Sequence, residues 1–250
     1  MLYQIIIASV VGGIFSLIGG IILLTKEAFA RRISLLLVSF ASGSLLGAAF
    51  LDLFPEAIEL FNGMAVDVQN VFIFAIVGIL SIFIFEKFLK WHHCHDSEIC
   101  DYYGFSSTIL IGDAIHNFID GIVIAFSFAV NPSVGIAATI AIFFHEVPQE
   151  ISDFGVLLHA GYSRKKILIY NFFAASSTLL GAIMGYFALP FISHILPYLI
   201  SFAAGTFIYI ATADLIPELK HKTKGLNIIH FIAMIVGVFI IWFVGKYFGK

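Results

Sequence analysis

Charge is the scarcest commodity in this 250-residue sequence: Asp, Glu, Lys and Arg together make up 12% of it, whereas 60% is hydrophobic. A water-soluble domain carries roughly 25% charged residues, so a soluble globule and a disordered chain are both excluded. Thirteen basic residues against 16 acidic ones give a net charge of −3, whose distribution matters more than its sum, and no nucleic-acid partner is expected. Cysteine is limited to Cys94 and Cys100, too few for a disulfide framework and without the Cys-x-x-Cys spacing of a rigid structural zinc site. No Gly-x-x-x-x-Gly-Lys loop occurs, so there is no recognisable ATP motor. Polar and apolar residues do not alternate, which argues against a barrel of strands. Met1 to Gln4 lacks basic residues, and we expect no cleaved signal peptide.

What is present is long apolar runs, with a mean hydropathy of +1.03. Crossing ~30 Å of hydrocarbon takes about 20 helical residues. Runs of that length lie near 3–25, 33–59, 70–90, 106–130, 133–159, 166–190, 193–219 and 227–247. The expected fold is all-α: a polytopic membrane protein of eight transmembrane helices in one domain, 1–250, with a loop at about 91–105. Lys26, Arg31, Arg32, Lys87, Lys90, Arg164, Lys165, Lys166, Lys220, Lys222 and Lys224 then fall on one side, and only Lys246 and Lys250 on the other. The positive-inside rule turns those loops to the cytoplasm and both termini outward, in the cell (inner) membrane.

Ser39 to Glu56 and Ser201 to Glu218 align without a gap, sharing Asp-Leu-x-Pro-Glu. These are the second and seventh crossings, which run in opposite directions. An inverted repeat of helices 1–3 and 6–8 around central helices 4 and 5 is therefore expected, with a substrate site at the midplane. Asp52 and Glu56 would lie at the outer mouth, Asp214 and Glu218 at the inner one. Gly43-x-x-x-Gly47 and Gly181-x-x-x-Gly185 would bring helices close together within the bundle.

The central helices carry the chemistry. Asp113, His116, Asn117 and Asp120 fall within an arc of about 100° on helix 4, and His145, Glu146, Gln149, Glu150 and Asp153 within about 140° on helix 5. Each ionisable group costs ~2.5–3.5 kcal/mol at a bilayer centre on insertion scales, so such stripes mark a function. Imidazole beside carboxylate suits a first-row divalent metal. His116, Asn117, Asp120, His145, Glu146, Gln149 and Glu150 are the expected ligands. Asp52, Glu56, Asp113, Asp153, His159, Asp214 and Glu218 would line the path or orient ligands. Pro148 removes a donor to the carbonyl of Phe144, beside His145. His92, His93, Cys94 and His95 form a soft-ligand group in the cytoplasmic loop, suited to capturing emerging metal.

His116-Asn117-Phe118-Ile119-Asp120-Gly121 and His145-Glu146-Val147-Pro148-Gln149-Glu150-Ile151-Ser152-Asp153 resemble the fourth- and fifth-helix signatures of the ZIP (Zrt/Irt-like) metal transporters. The nearest pattern is the bacterial-type branch whose fifth helix reads His-Glu-x-Pro-His-Glu-x-Gly-Asp. The resemblance implies import of divalent metal, chiefly zinc, by a homodimer, through a site of His116, Asn117, Asp120, His145, Glu146 and position 149. Gln149 stands where that pattern has its second His, and Ser152 where it has Gly, so iron, manganese or cadmium join zinc as candidate cargo. The partners expected are metal ions, membrane lipid and a second copy of the chain. A metal-gated channel is the alternative, followed by an intramembrane zinc-dependent hydrolase. The latter needs His-Glu-x-x-His, which Gln149 breaks; no enzyme activity is expected.

Overall fold

The computed structural model describes residues 1–64, 67–91, 102–159, 161–217, 219 and 228–248. Within them the chain forms eight helical rods: α1 Leu2–Thr25, α2 Glu27–Gly63, α3 Gln69–Trp91, α4 Tyr102–Val130, α5 Pro132–His159, α6 Arg164–Ile192, α7 Leu196–Leu215 and α8 Ile228–Phe248. No strand occurs among the described residues. Each rod falls on one of the eight apolar runs; the largest difference is α2, which begins at Glu27 directly after α1 ends. Six rods are long and apolar enough to span a membrane. Of the other two, α3 has a shorter apolar stretch, Gln69–Ile84, and α5 is interrupted by its own stripe of His, Glu, Gln and Asp. With Phe173, Phe191, Ile228 and Tyr247 among many exposed apolar side chains, the outer surface is one that only lipid solvates well. The chain is an integral membrane protein.

Three rods depart from regular helix. A 3-10 turn over Ile14–Leu17 interrupts α1 just after Gly13. A Cβ at Gly13 would lie 2.5 Å from Thr178 Oγ1, so this glycine lets α1 press against α6. In α2 and α7 the departure is a six-residue π-helical turn, over Ala48–Leu53 and Ile210–Leu215 respectively. Each stands two residues before a proline, Pro55 or Pro217. A proline ring clashes with the carbonyl four residues back, here Leu51 or Ala213, and widening the helix relieves that clash. Both turns sit at equivalent places in the Ser39–Glu56 and Ser201–Glu218 alignment.

Rods pair through glycine-mediated backbone contact. Gly43 of α2 meets the Met234 carbonyl of α8, and Gly237 of α8 meets the Phe40 carbonyl in return. Gly205 of α7 meets the Ala75 carbonyl of α3, and Gly78 meets that of Phe202. Phe40 and Gly43 align with Phe202 and Gly205, so the two pairs are built alike. The most extensive pairing, α4 with α6, follows the same rule through Gly121 against the Thr178 carbonyl and Gly181 against that of Phe118. Gly47 and Gly185 also face neighbouring rods, so both Gly-x-x-x-Gly motifs are used internally. Around these seams lies a core including Leu45, Ile124, Ile142, Ile200 and Phe207. The result holds α4 and α5 at the centre, with α6 fixed behind α4.

Candidate metal centre

His116 and Asp120 are one turn apart on α4, and His145 and Glu146 are adjacent on α5. Their donor atoms converge within 4.8 Å of one another. His145 Nε2 lies 3.2 Å from His116 Nε2 and 3.2 Å from Asp120 Oδ2. Glu146 Oε1 lies 3.5 Å from each imidazole, and His116 Nε2 lies 3.7 Å from Asp120 Oδ2. Four ligands about 2.0–2.1 Å from a tetrahedral zinc ion would be separated by ~3.3 Å. The spacing is thus that of a coordination shell, whereas packed apolar neighbours would stand farther apart.

Protonation follows from the partners. His145 Nδ1 sits 3.1 Å from the Ala141 carbonyl, one turn back. A carbonyl only accepts, so Nδ1 carries the proton and Nε2 presents its lone pair to the centre. Asp120 Oδ2 and Glu146 Oε1, the two oxygens aimed there, have no hydrogen-bond partner. The remaining oxygen of Glu146, Oε2, accepts from Asn117 Nδ2 at 3.2 Å. That amide also donates to Asp113 Oδ1 at 3.0 Å, while its own oxygen accepts from Thr178 Oγ1 at 2.6 Å. Acceptors on one side and a hydroxyl on the other fix which way the Asn117 amide points.

Charge is one-sided. Asp52, Asp113, Asp120, Glu146 and Glu150 are buried, and no Lys or Arg is buried with them among the described residues. Burying carboxylates without counter-charge is costly, and one dication bound by the four donors would offset two of them.

The residues expected at the centre therefore divide. His116, Asp120, His145 and Glu146 converge. Asn117 instead bridges Asp113 and Glu146, and Gln149 donates from Nε2 to Asp113 Oδ1 at 3.0 Å, so both amides are engaged with carboxylates. Glu150 is buried with neither oxygen partnered, one turn beyond Glu146 and apart from the four. Asp153 is half-buried farther along α5. Asp113, His116, His145, Gln149 and Asp214 line a cavity of about 240 Å³, while Asp52 and Glu56 line another of about 260 Å³ at the start of α5. His92, His93, Cys94, His95 and Glu218 lie outside the described residues, as does the side chain of His159. Thr178 was not singled out in the sequence. Its only signal there is its place after Ser176 and Ser177 in a mostly apolar stretch of α6.

A family model described as ZIP Zinc transporter matches residues 2–98 and 90–245. The zinc transporter ZIP10 of Homo sapiens is 34% identical over 172 residues, 64% of this chain and 20% of that protein. The zinc transporter foi of Drosophila melanogaster is 36% identical over 143 residues, 56% of this chain and 20% of that one. The zinc transporter ZIP13 of Pongo abelii is 33% identical over 215 residues, covering 80% and 62% respectively. The chain thus spans about a fifth of the length of the first two relatives. Matched nearly end to end by the family model, with the central signatures forming a four-donor cluster, the chain belongs to the ZIP zinc transporter family.

Proposed function

We propose that the chain carries divalent metal ions, zinc foremost, across the membrane into the cytoplasm, with His116, Asp120, His145 and Glu146 as the midplane ligands. The observation that carries this reading is the donor spacing: two imidazole nitrogens and two unpartnered carboxylate oxygens all within 4.8 Å, with five of their six separations 3.2–3.7 Å. Imidazole donors favour zinc, while two carboxylates leave room for iron, manganese or cadmium. A hydrated dication gives up its water to these four groups in steps. Asn117 and Thr178 hold Glu146 in place during the exchange. Glu150 and Gln149, one turn farther along α5, take part as the ion leaves.

The proposed frame is a single domain of eight crossings with both termini outside in the cell membrane, built as an inverted repeat of α1–α3 and α6–α8 and working as a homodimer. The matching π turns and the matched glycine contacts of α2–α8 and α7–α3 support the repeat. In this orientation Asp214 is cytoplasmic, so the cavity that reaches His116 and His145 opens inward. The cavity beside Asp52 shares no lining residue with it. Two cavities that do not meet favour a carrier over a metal-gated channel. His92, His93, Cys94 and His95 would receive the ion beyond the inner mouth.

Uptake by purified protein in sealed liposomes containing a metal-sensitive dye tests the proposal. Saturable zinc flux that His145→Ala abolishes is the expected result. Normal uptake by His145→Ala would overturn the site, and absence of flux for zinc, iron(II), manganese and cadmium would overturn transport.

A further inference from the structure

Lys246 breaks the charge pattern of the chain. Eleven of the 13 Lys and Arg lie on the proposed cytoplasmic side, yet Lys246 lies at the far end, near the end of α8. There it lines a cavity of about 260 Å³ with Asp52, Glu56, Ser133, Trp242 and Gly245. Ser133 is 12 residues ahead of His145 on α5, or ~18 Å at 1.5 Å per residue, so this is the mouth opposite the His116 cavity.

The acids and the ammonium share this space without pairing. Asp52 is 6% exposed and its Oδ2 has no hydrogen-bond partner. Its other oxygen lies against the backbone of α8: a Cβ at Gly245 would be 2.5 Å from Asp52 Oδ1. Among the described residues Lys246 makes no ion pair; its Nζ rests over the Trp242 ring, 4.9 Å from the centroid. A ring face holds an ammonium weakly, by its quadrupole, at an exposed position. The flexible four-carbon stem of lysine lets the same group swing toward the carboxylates at little cost.

We infer that Lys246 is a tethered competitor for the metal ion: stowed on Trp242 it leaves Asp52 and Glu56 open, and turned toward them it must be displaced by each arriving dication. It positions charge at the outer mouth and never coordinates the ion. The inference rests on the transport reading above and on its orientation.

Zinc uptake by intact cells expressing the full chain tests it, because every copy then faces the same way. Surface expression of each variant is measured alongside. Removing one exposed unit charge near the carboxylates should lower the KM of Lys246→Gln about fivefold, with maximal rate unchanged. Its KM should also climb more steeply with added KCl, since the unbalanced acids attract the ion more strongly. Lys246→Arg, which keeps the charge, should not lower KM as Lys246→Gln does, and Trp242→Leu, which frees the ammonium, should raise it. A Lys246→Gln KM within twofold of the parent, with the same salt dependence, overturns the role of Lys246 and leaves transport standing. No uptake by the parent protein overturns the transport reading itself.

Discussion

Thr178→Val isolates the hydrogen-bond chain behind the proposed metal ligands. Valine keeps the shape of threonine and removes only the hydroxyl that donates to Asn117 Oδ1 at 2.6 Å. That oxygen is then left unpaired in a side chain with 0% exposure. A lost neutral hydrogen bond costs about 1 kcal/mol, and an orphaned buried acceptor about 1–3 kcal/mol. The amide, no longer fixed from behind, holds Glu146 Oε2 and Asp113 Oδ1 less firmly. Removing such supporting groups lowers metal affinity by roughly 10–100-fold. The assay is zinc affinity of the purified protein, by competition against a dye, with thermal unfolding in parallel. We expect weakening of at least tenfold together with a lower melting temperature. Ser177→Ala is the comparison, because its hydroxyl meets only backbone carbonyls of Ala114 and Ala174. Affinity within twofold of the parent in Thr178→Val, or an equal loss in Ser177→Ala, would refute the reasoning.

Glu146→Gln keeps the size of the side chain but replaces one anionic donor; zinc uptake should fall at least a hundredfold while the protein still inserts, read by flux per surface copy. Gln149→His should tighten zinc binding by roughly an order of magnitude, measured by dye competition, since it adds an imidazole beside the cavity shared with His116 and His145. Gly121→Ala places a Cβ 1.9 Å from the Thr178 carbonyl, forcing α4 from α6. We expect a loss of about 1–3 kcal/mol in stability and weaker zinc binding, because Thr178 moves with α6; an unchanged melting temperature would contradict the close approach.

Much of the fold is legible in the sequence because lipid imposes a harsh filter. Polar backbone must be satisfied within each segment, so a run of 20 apolar residues has one solution. The two stripes stand out for the same reason: Asp120 and Glu146 have no cause to sit among Ile and Phe unless something pays for them. What the stripes do not disclose is which members meet. Asn117 shares its arc of α4 with the ligands His116 and Asp120, yet a 3.2 Å hydrogen bond to Glu146 turns its amide into a support for that carboxylate. That depends on α6 bringing Thr178 behind it, through the Gly121 and Gly181 seam, and no periodicity within one helix encodes a contact between two. The four-donor spacing likewise arises only when α4 and α5 are docked.

The π turns were equally hidden, although their cause is local. Pro55 and Pro217 signal a disturbance, but a proline can kink, break or widen a helix. Widening at both places leaves Asp52 and Asp214 at equivalent positions in α2 and α7, in unlike surroundings. Asp214 is exposed in the cavity that reaches His116 and His145, whereas Asp52 is 6% exposed in a cavity that stops short of them. Under the proposed inverted repeat, this difference is a property of the conformation. In the proposed repeat, exchanging the conformations of the halves would yield the mirror arrangement: Asp52 opened to the centre and Asp214 closed from it. With the α2–α8 and α7–α3 pairs built on matched glycine contacts, the proposed exchange would leave only a small difference for a bound ion to tip. The proposed carrier requires that balance, and building the α2–α8 and α7–α3 pairs alike is its structural basis.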